Sequence, residues 1–511
     1  MRALAGEQPG EIFTAHRLIL TDDAVLSGAR EAIFTDGMRA EAGWKTTIDA
    51  LATDYRGLSD PYQRQRATDV EDVGAQVLVA LTGDAMDARA EPAEPSILWN
   101  DEFTPTQIAQ VDPAWVLGLI SGAGSATSHA AILARALGIP AVAGASDLLS
   151  DARDGTIIGL DGASGHLWIN PPGEVVTQLT KRRAAWLTER ERLRQSSQII
   201  TTTKDGQRVE IAANLSGLAD ANVAVANGAE AVGVLRTEFL YLTRAVAPTE
   251  EEQVATLRQI ATAMEGRAVI VRTLDIGGDK SIPYLALPVE ANPFLGVRAI
   301  RLSLIHPELF IPQARAILRA GVGNTLRILL PMITLVEELE QARKLIEQAR
   351  TTLLSDGVEH SWPMQVGIMV ETPAAALMAQ TLAPLVDFFS IGTNDLAQYT
   401  LAAERGNPHL SHLSDALHPA VLRLIAEVVA AAHQHGKWAG VCGEIAADPA
   451  AIPILVGLGV DELSMNVSAI PQAKAVVRAL RVADVKPLAQ AALRAATAQA
   501  VRDLVRSAVS G

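Results

Sequence analysis

The stretch 366–395, VGIMVETPAAALMAQTLAPLVDFFSIGTND, sets two apolar runs, VGIMVET and DFFSIGTND, on either side of a small-residue segment. Near-continuous apolar runs of this length, rich in Val, Ile, Leu and Phe, read as strands buried on both faces of a parallel sheet. Working outward, the same pattern recurs as VEIAANL (209–215), AVGVLRTE (231–238), AVIVRTLDIG (268–277), LRILLPMI (326–333), WAGVCGE (438–444) and ELSMN (462–466). Each run is followed by a helical pattern, for instance EEQVATLRQIATAM or LVEELEQARKLIEQA. Eight strand–helix units predict a C-terminal (β/α)8 barrel over 205–511, with a doubly wound open sheet as the rival. A barrel places chemistry where strands run into the following loops. RTE, RTLDIGGDK, ET, GTND and CGE all stand at such ends.

Upstream, residues 11 to about 83 read as helices. Apolar positions recur at three- and four-residue spacing in TTIDALATDY and VEDVGAQVLVAL, with Ser59, Asp60 and Pro61 marking the turn between them. Residues 84–175 change to short strands (AWVLGLI, TIIGL, HLWIN) around one helix, AAILARAL, and Pro171-Pro172 closes this region. The charged stretch KRRAAWLTERERLRQ predicts a solvated linker helix within 176–204.

Composition narrows the class. In 511 residues there are 49% apolar side chains, 4% aromatics and a net charge of −15, which disfavours nucleic-acid and anionic-lipid partners and suits a basic protein partner. No N-terminal signal peptide and no apolar run of bilayer-spanning length is visible, so no membrane insertion is expected and the default location is cytoplasmic. One cysteine, Cys442, excludes an intrachain disulfide and a zinc framework.

GAGSATSHAAILARALGIPAVAG (122–144) sets His129 after small and hydroxyl residues, at the start of a helical pattern. Small residues let amides approach an anion, a helix start presents free N–H groups, and Thr127 and Ser128 add hydroxyl donors. A neutral imidazole is nucleophilic near pH 7, so the segment suits an N-phosphoryl group; a capped helix with a satisfied histidine is the bland alternative.

At the predicted barrel mouth, Arg236 and Arg272 end consecutive strands. Lys280, one of eight lysines, follows in the next loop, and Arg298 and Arg405 extend the cationic rim. Arginine forks bind carboxylate and phosphate in a bidentate way; the alternative is structural ion pairs with Glu238, Asp275 and Asp279. Glu371 and Asp395, at the ends of adjacent strands, suit Mg2+ held by two carboxylates and substrate oxygens, and Asn394 is placed to donate to a phosphate. Cys442, in GVCGE, is a protonated thiol at neutral pH, fit to donate a proton to a carbanion, or else a small buried apolar residue.

GSATSHAAILARALGIPAVAG resembles the phosphohistidine signature of Enzyme I, pyruvate phosphate dikinase and phosphoenolpyruvate synthase, with Gly124-Ser125 where the family usually has Gly-Gly. RTEFLYLTR, RTLDIGGDK, NPFLGVRAIR, GIMVETPAAA, DFFSIGTNDLAQYTLAAERGN and GKWAGVCGE resemble Enzyme I of the bacterial phosphotransferase system, from near residue 10 to about 480. This resemblance implies a phosphoenolpyruvate–protein phosphotransferase, a transferase acting on a nitrogenous acceptor. It would carry phosphate from phosphoenolpyruvate to His129 and then to the phosphocarrier HPr, releasing pyruvate in the first step of sugar uptake. It further implies Arg236, Arg272, Asn394 and Arg405 as substrate ligands, Glu371 and Asp395 on Mg2+, and Cys442 as proton donor. An HPr-docking helical region (1–83), a swivelling phosphohistidine domain (84–175) and a homodimer through the barrel complete the expectation. Family members normally begin with an extra strand and the first docking helices, so this chain is expected to open partway into that region. The alternatives are a truncated, non-relaying phosphoenolpyruvate-binding protein and a dikinase or synthase relative, which requires an ATP-binding domain.

Overall fold

The computed structural model describes residues 20, 23–57, 61–82, 94–104, 107–108, 111–122, 134, 137–145, 152–242, 246–278, 282, 284–285, 290–404, 407, 410 and 413–509. The chain divides into two compact units, Met1–Thr188 and Glu189–Gly511.

In the first unit, helices Asp23–Phe34, Ala40–Gly57 and Pro61–Thr82 carry the two periodic segments read as helical. Their apolar stripes close on one small core of Val25, Ala29, Trp44, Ile48, Ala52, Ala67 and Val70. The Trp44 indole cannot be buried with its N–H unpaired, and it donates to the Gly74 carbonyl at 3.1 Å. Five short strands follow: β1 (Ser96–Asn100), β2 (Val116–Ser121), β3 (Ala141–Ala143), β4 (Ile158–Asp161) and β5 (His166–Ile169). β1, β2 and β3 make a parallel sheet in that order, and β4 and β5 an antiparallel hairpin. The sequence reading found β2, β4 and β5 but neither β1 nor β3; the expected helix AAILARAL lies mostly outside the described residues. The helix Gly173–Ser196 then carries the chain into the second unit and buries only Leu193, as its charge pattern predicts.

The second unit is a closed barrel of eight parallel strands: β6 (Glu210–Leu215), β7 (Ala231–Arg236), β8 (Val269–Arg272), β9 (Leu326–Leu330), β10 (Val366–Val370), β11 (Phe388–Ile391), β12 (Trp438–Val441) and β13 (Glu462–Met465). β13 pairs with β6 and closes the ring, which removes the open-sheet rival. The strands are largely apolar because both faces are covered. Residues such as Ile211, Val271, Ile328 and Ile368 pack outward under the helices, while Val234, Ile270, Leu329, Met369, Phe388 and Cys442 form a separate cluster along the barrel axis. No helix among the described residues is long and apolar enough to cross a membrane.

Candidate active site

Parallel pairing fixes which side chains share a rung. Arg236 and Arg272 are Cα partners on β7 and β8, so their side chains leave the sheet on the same face at the same height. Arg272 is buried and its guanidinium forks between Glu238 and Asp275, the latter at 3.0 Å from Nη1. Arg298 takes the other side of Asp275 at 3.0 Å and lies 3.6 Å from Asp395. Two arginines are therefore clamped by one shared aspartate. The ion pairs offered from sequence as an alternative to ligand binding are present at Arg272 and Arg298, through Glu238 and Asp275. Arg236, half-buried, has no ion-pair partner among the described residues.

The electrostatics follow from burial. Burial opposes charge on Arg272, but Glu238, Asp275 and Glu371 outweigh it and hold the guanidinium firmly protonated. Arg298 is held in the same way against burial by Asp275, Asp395 and Glu371. For Glu371 the balance is reversed. Burial, then the like charges of Asp395 and Asp275, push its proton affinity well above the usual carboxylate range, against the pull of the two arginines. Glu371 is fixed by the Met332 N–H, which donates to Oε1 at 2.6 Å. Met332 reaches that position with φ +57, in the left-handed region, which costs a non-glycine residue roughly 1–2 kcal/mol.

Asn394 and Asp395 open the helix Thr393–Leu401 after β11. The Glu444 N–H donates to Asn394 Oδ1 at 3.0 Å, and Asn394 Nδ2 lies 3.4 Å from Glu444 Oε1, which orients the amide. Tyr399, one turn beyond Asp395, accepts from Arg298 Nη1 at 3.2 Å and donates to the Phe294 carbonyl at 2.6 Å. The sequence reading missed Tyr399, although its spacing of four from Asp395 puts both on one helix face.

Cys442 is the first residue past β12. It is buried among the axial side chains, and its thiol donates to the Ile391 carbonyl at 3.5 Å. Burial pushes the thiol up to about 12, with a smaller opposing pull from Ser390. The thiol therefore stays protonated at any ordinary pH.

The site thus brings together Arg236, Arg272, Arg298, Glu371, Asn394, Asp395 and Cys442. Lys280, Arg405, Thr127, Ser128 and His129 lie outside the described residues. A divalent cation fits the donor set. Glu371 and Asp395 present hard oxygens whose mutual repulsion such an ion relieves, although no cage of three or more acidic, His or Cys ligands exists among the described residues.

Comparison with known proteins gives the same outline along the chain. Residues 190–482 match the PEP-utilising enzyme, PEP-binding domain; residues 92–165 match the PEP-utilising enzyme, mobile domain; and residues 1–66 match the PEP-utilising enzyme, N-terminal model. The chain is 40% identical over 500 residues to the phosphoenolpyruvate-protein phosphotransferase of Staphylococcus carnosus (strain TM300), covering 98% of this chain and 87% of that one. It is 42% identical over 505 residues to the protein of that name from Geobacillus stearothermophilus, covering 99% and 87%. The Streptococcus equinus relative of the same name is 42% identical over 491 residues, covering 96% and 85%. Such identity over nearly the whole chain shows that this protein belongs to the phosphoenolpyruvate-protein phosphotransferase family, the Enzyme I proteins.

Proposed function

We propose that this chain moves the phosphoryl group of phosphoenolpyruvate onto His129, then onto the histidine of the phosphocarrier HPr, releasing pyruvate in the first step of phosphotransferase-system sugar uptake. The reading is supported above all by one observation: Arg272, Arg298, Asp275, Asp395 and Glu371 share a single buried charge network at the strand ends, with Arg236 on the same rung.

In this reading Arg236, Arg272, Lys280, Arg298 and Arg405 hold the carboxylate and phosphate of the substrate, and Asn394 donates to a phosphate oxygen. Glu371 and Asp395 hold Mg2+, which when bound neutralises charge on the transferring group. A ring nitrogen of His129 forms the N–P bond as the P–O bond to the enol carbon breaks. The enolate then takes a proton from Cys442 at carbon 3, giving pyruvate, and the thiolate regains its proton from solvent. Thr127 and Ser128 donate to the phosphoryl group once it sits on His129. Residues 84–175 act as the swivelling carrier, 1–83 dock HPr, 176–204 form the linker, and 205–511 bind substrate and join two copies in a cytoplasmic homodimer. The names carried by relatives along 96–99% of the chain favour this relay over an ATP-dependent dikinase and over a non-relaying remnant.

Phosphate-labelled phosphoenolpyruvate with Mg2+ tests the reading. Acid-labile label on the protein, absent in His129→Ala, is expected; label that persists in that variant, or that comes from ATP instead, would overturn it.

A further inference from the structure

Cys442 stands where the β12 ladder has ended, since the β12–β13 register runs through Gly440↔Glu462 and Val441↔Leu463 only. Its own N–H is held on one side by the Ile391 carbonyl at 3.0 Å. Among the described residues no backbone N–H reaches its carbonyl, which would be left loose. Instead Asn214, on β6, reaches past β13 and donates Nδ2 to the Cys442 carbonyl at 3.1 Å. The other end of that amide is fixed as well, because the Ser464 hydroxyl donates to Asn214 Oδ1 at 2.7 Å. Both Asn214 and Ser464 are buried, so their polar atoms depend on each other and on this carbonyl. Gly233 on β7 makes room for the pair: a Cβ there would stand 2.4 Å from Ser464 Oγ.

We propose that Asn214, locked by Ser464, is a positioning residue that fixes the Cys442 peptide and so aims the thiol at carbon 3 of the enolate. The inference rests on the reading of Cys442 as proton donor. Its consequence is a split between two half-steps. Phosphoryl transfer to His129 uses the arginines and carboxylates, none of which Asn214 touches among the described residues. Protonation of the enolate uses Cys442, which it holds. A wandering thiol slows only the second step.

The test measures, in single turnovers of the full chain with phosphoenolpyruvate and Mg2+, acid-labile label on His129 and pyruvate formation by lactate dehydrogenase. Asn214→Leu removes these hydrogen bonds together with the longer one from Nδ2 to the Ser464 carbonyl at 3.5 Å; Asn214→Asp keeps the acceptor for the Ser464 hydroxyl but loses the donor to Cys442. Both are expected to slow pyruvate formation about 5- to 10-fold, the scale of one lost hydrogen bond, while His129 labelling stays within about twofold of the parent. Equal slowing of both steps, or no slowing of either, overturns the proposal. Should the Asn214 variants fail to fold, Ser464→Ala must show the same split at about 2- to 5-fold, and its absence counts against the proposal equally. Cys442→Ala keeps the two failures apart. If it leaves pyruvate formation at the parent rate, the underlying proton-donor reading falls and this inference with it. If it blocks pyruvate formation while Asn214→Leu does not slow it, only the positioning role falls.

Discussion

Glu462 begins β13 at the end of the barrel opposite the catalytic mouth, and it is nearly inaccessible to solvent. Neither of its carboxylate oxygens has a hydrogen-bond partner among the described residues. Its Cα partner on β6 is another acid, Glu210, and the nearest cation, Arg327, spends its guanidinium over the Trp438 ring at 5.4 Å. Burial first, then Glu210, push Glu462 from 4.5 up to about 8, with Arg327 pulling the other way. The sign of the stability effect follows from proton counting. Between about pH 4.5 and 8 the unfolded chain has released this proton while the native barrel keeps it, so the unfolded state binds fewer protons and stability falls as pH rises. Below that window the group costs nothing, and above it the loss is complete. At about 1.4 kcal/mol for each tenfold change in proton affinity, the full loss is at most about 5 kcal/mol, and water penetration reduces it to roughly 2–4.

Glu462→Gln removes this titration with little change of shape. The stability of the variant minus that of the parent is expected to rise by about 2–4 kcal/mol from pH 4.5 to pH 8. Differences in packing or in amide hydrogen bonding are the same at every pH and cancel. The assay is urea unfolding followed by circular dichroism at half-unit steps, both proteins side by side. A flat difference across the window, or a parent that gains on the variant as pH rises, would refute the reasoning.

Three further outcomes are expected. Arg272→Met strands Glu238 without its cation and leaves Asp275 only Arg298, and should cost roughly 3–5 kcal/mol in urea unfolding; Arg272→Lys should recover part of that stability but little phosphorylation, because an ammonium cannot fork between two carboxylates. Lys474→Met breaks a buried pair with Glu230 at 2.9 Å and a bond to the Gly228 carbonyl, lowering stability by a similar roughly 3–5 kcal/mol, while label on His129 per folded molecule stays unchanged. Cys442, raised by burial from 9.0 to about 12, should alkylate with iodoacetamide at pH 8 about 1000-fold more slowly in the native protein than in denaturant, as read by mass spectrometry.

The barrel was legible because its strands are buried on two faces and so are mostly apolar, as VGIMV and FFSI are. β1 was not legible for the opposite reason: no residue of SILWN is fully buried and Trp99 is exposed, so no pattern distinguishes it from a loop. β3 is three residues of alanine and valine, too short to show any period. At the site, residue identities were readable but their partnerships were not. That Arg236 and Arg272 share a rung depends on the β7–β8 register, which shifts between Val232 and Leu235. The bond from Ser464 to Asn214 spans 250 residues and exists only because β13 closes on β6. Spacing along the chain carries no information about a contact made by closure.

The two ends of the barrel handle buried acid in opposite ways, and the difference explains what the mouth is for. At the closed end no arginine is committed to Glu462, and the fold holds the carboxyl neutral. At the mouth three arginines stand against Glu238, Asp275, Glu371 and Asp395, so the formal charge among the described residues is close to zero or slightly negative, on a chain that is itself −15. The described residues alone therefore do not draw in a trianion through their combined field; the further rim cations proposed, Lys280 and Arg405, lie outside them. Among the described residues the donors left over after the ion pairs are made are the Arg236 guanidinium and the Nε of Arg272 and Arg298, and the proposed Lys280, Arg405 and magnesium ion add to them. The carboxylates then serve the arginines before any substrate arrives. By holding the guanidinium planes still, they remove the reorganisation that flexible cations would otherwise undergo during transfer.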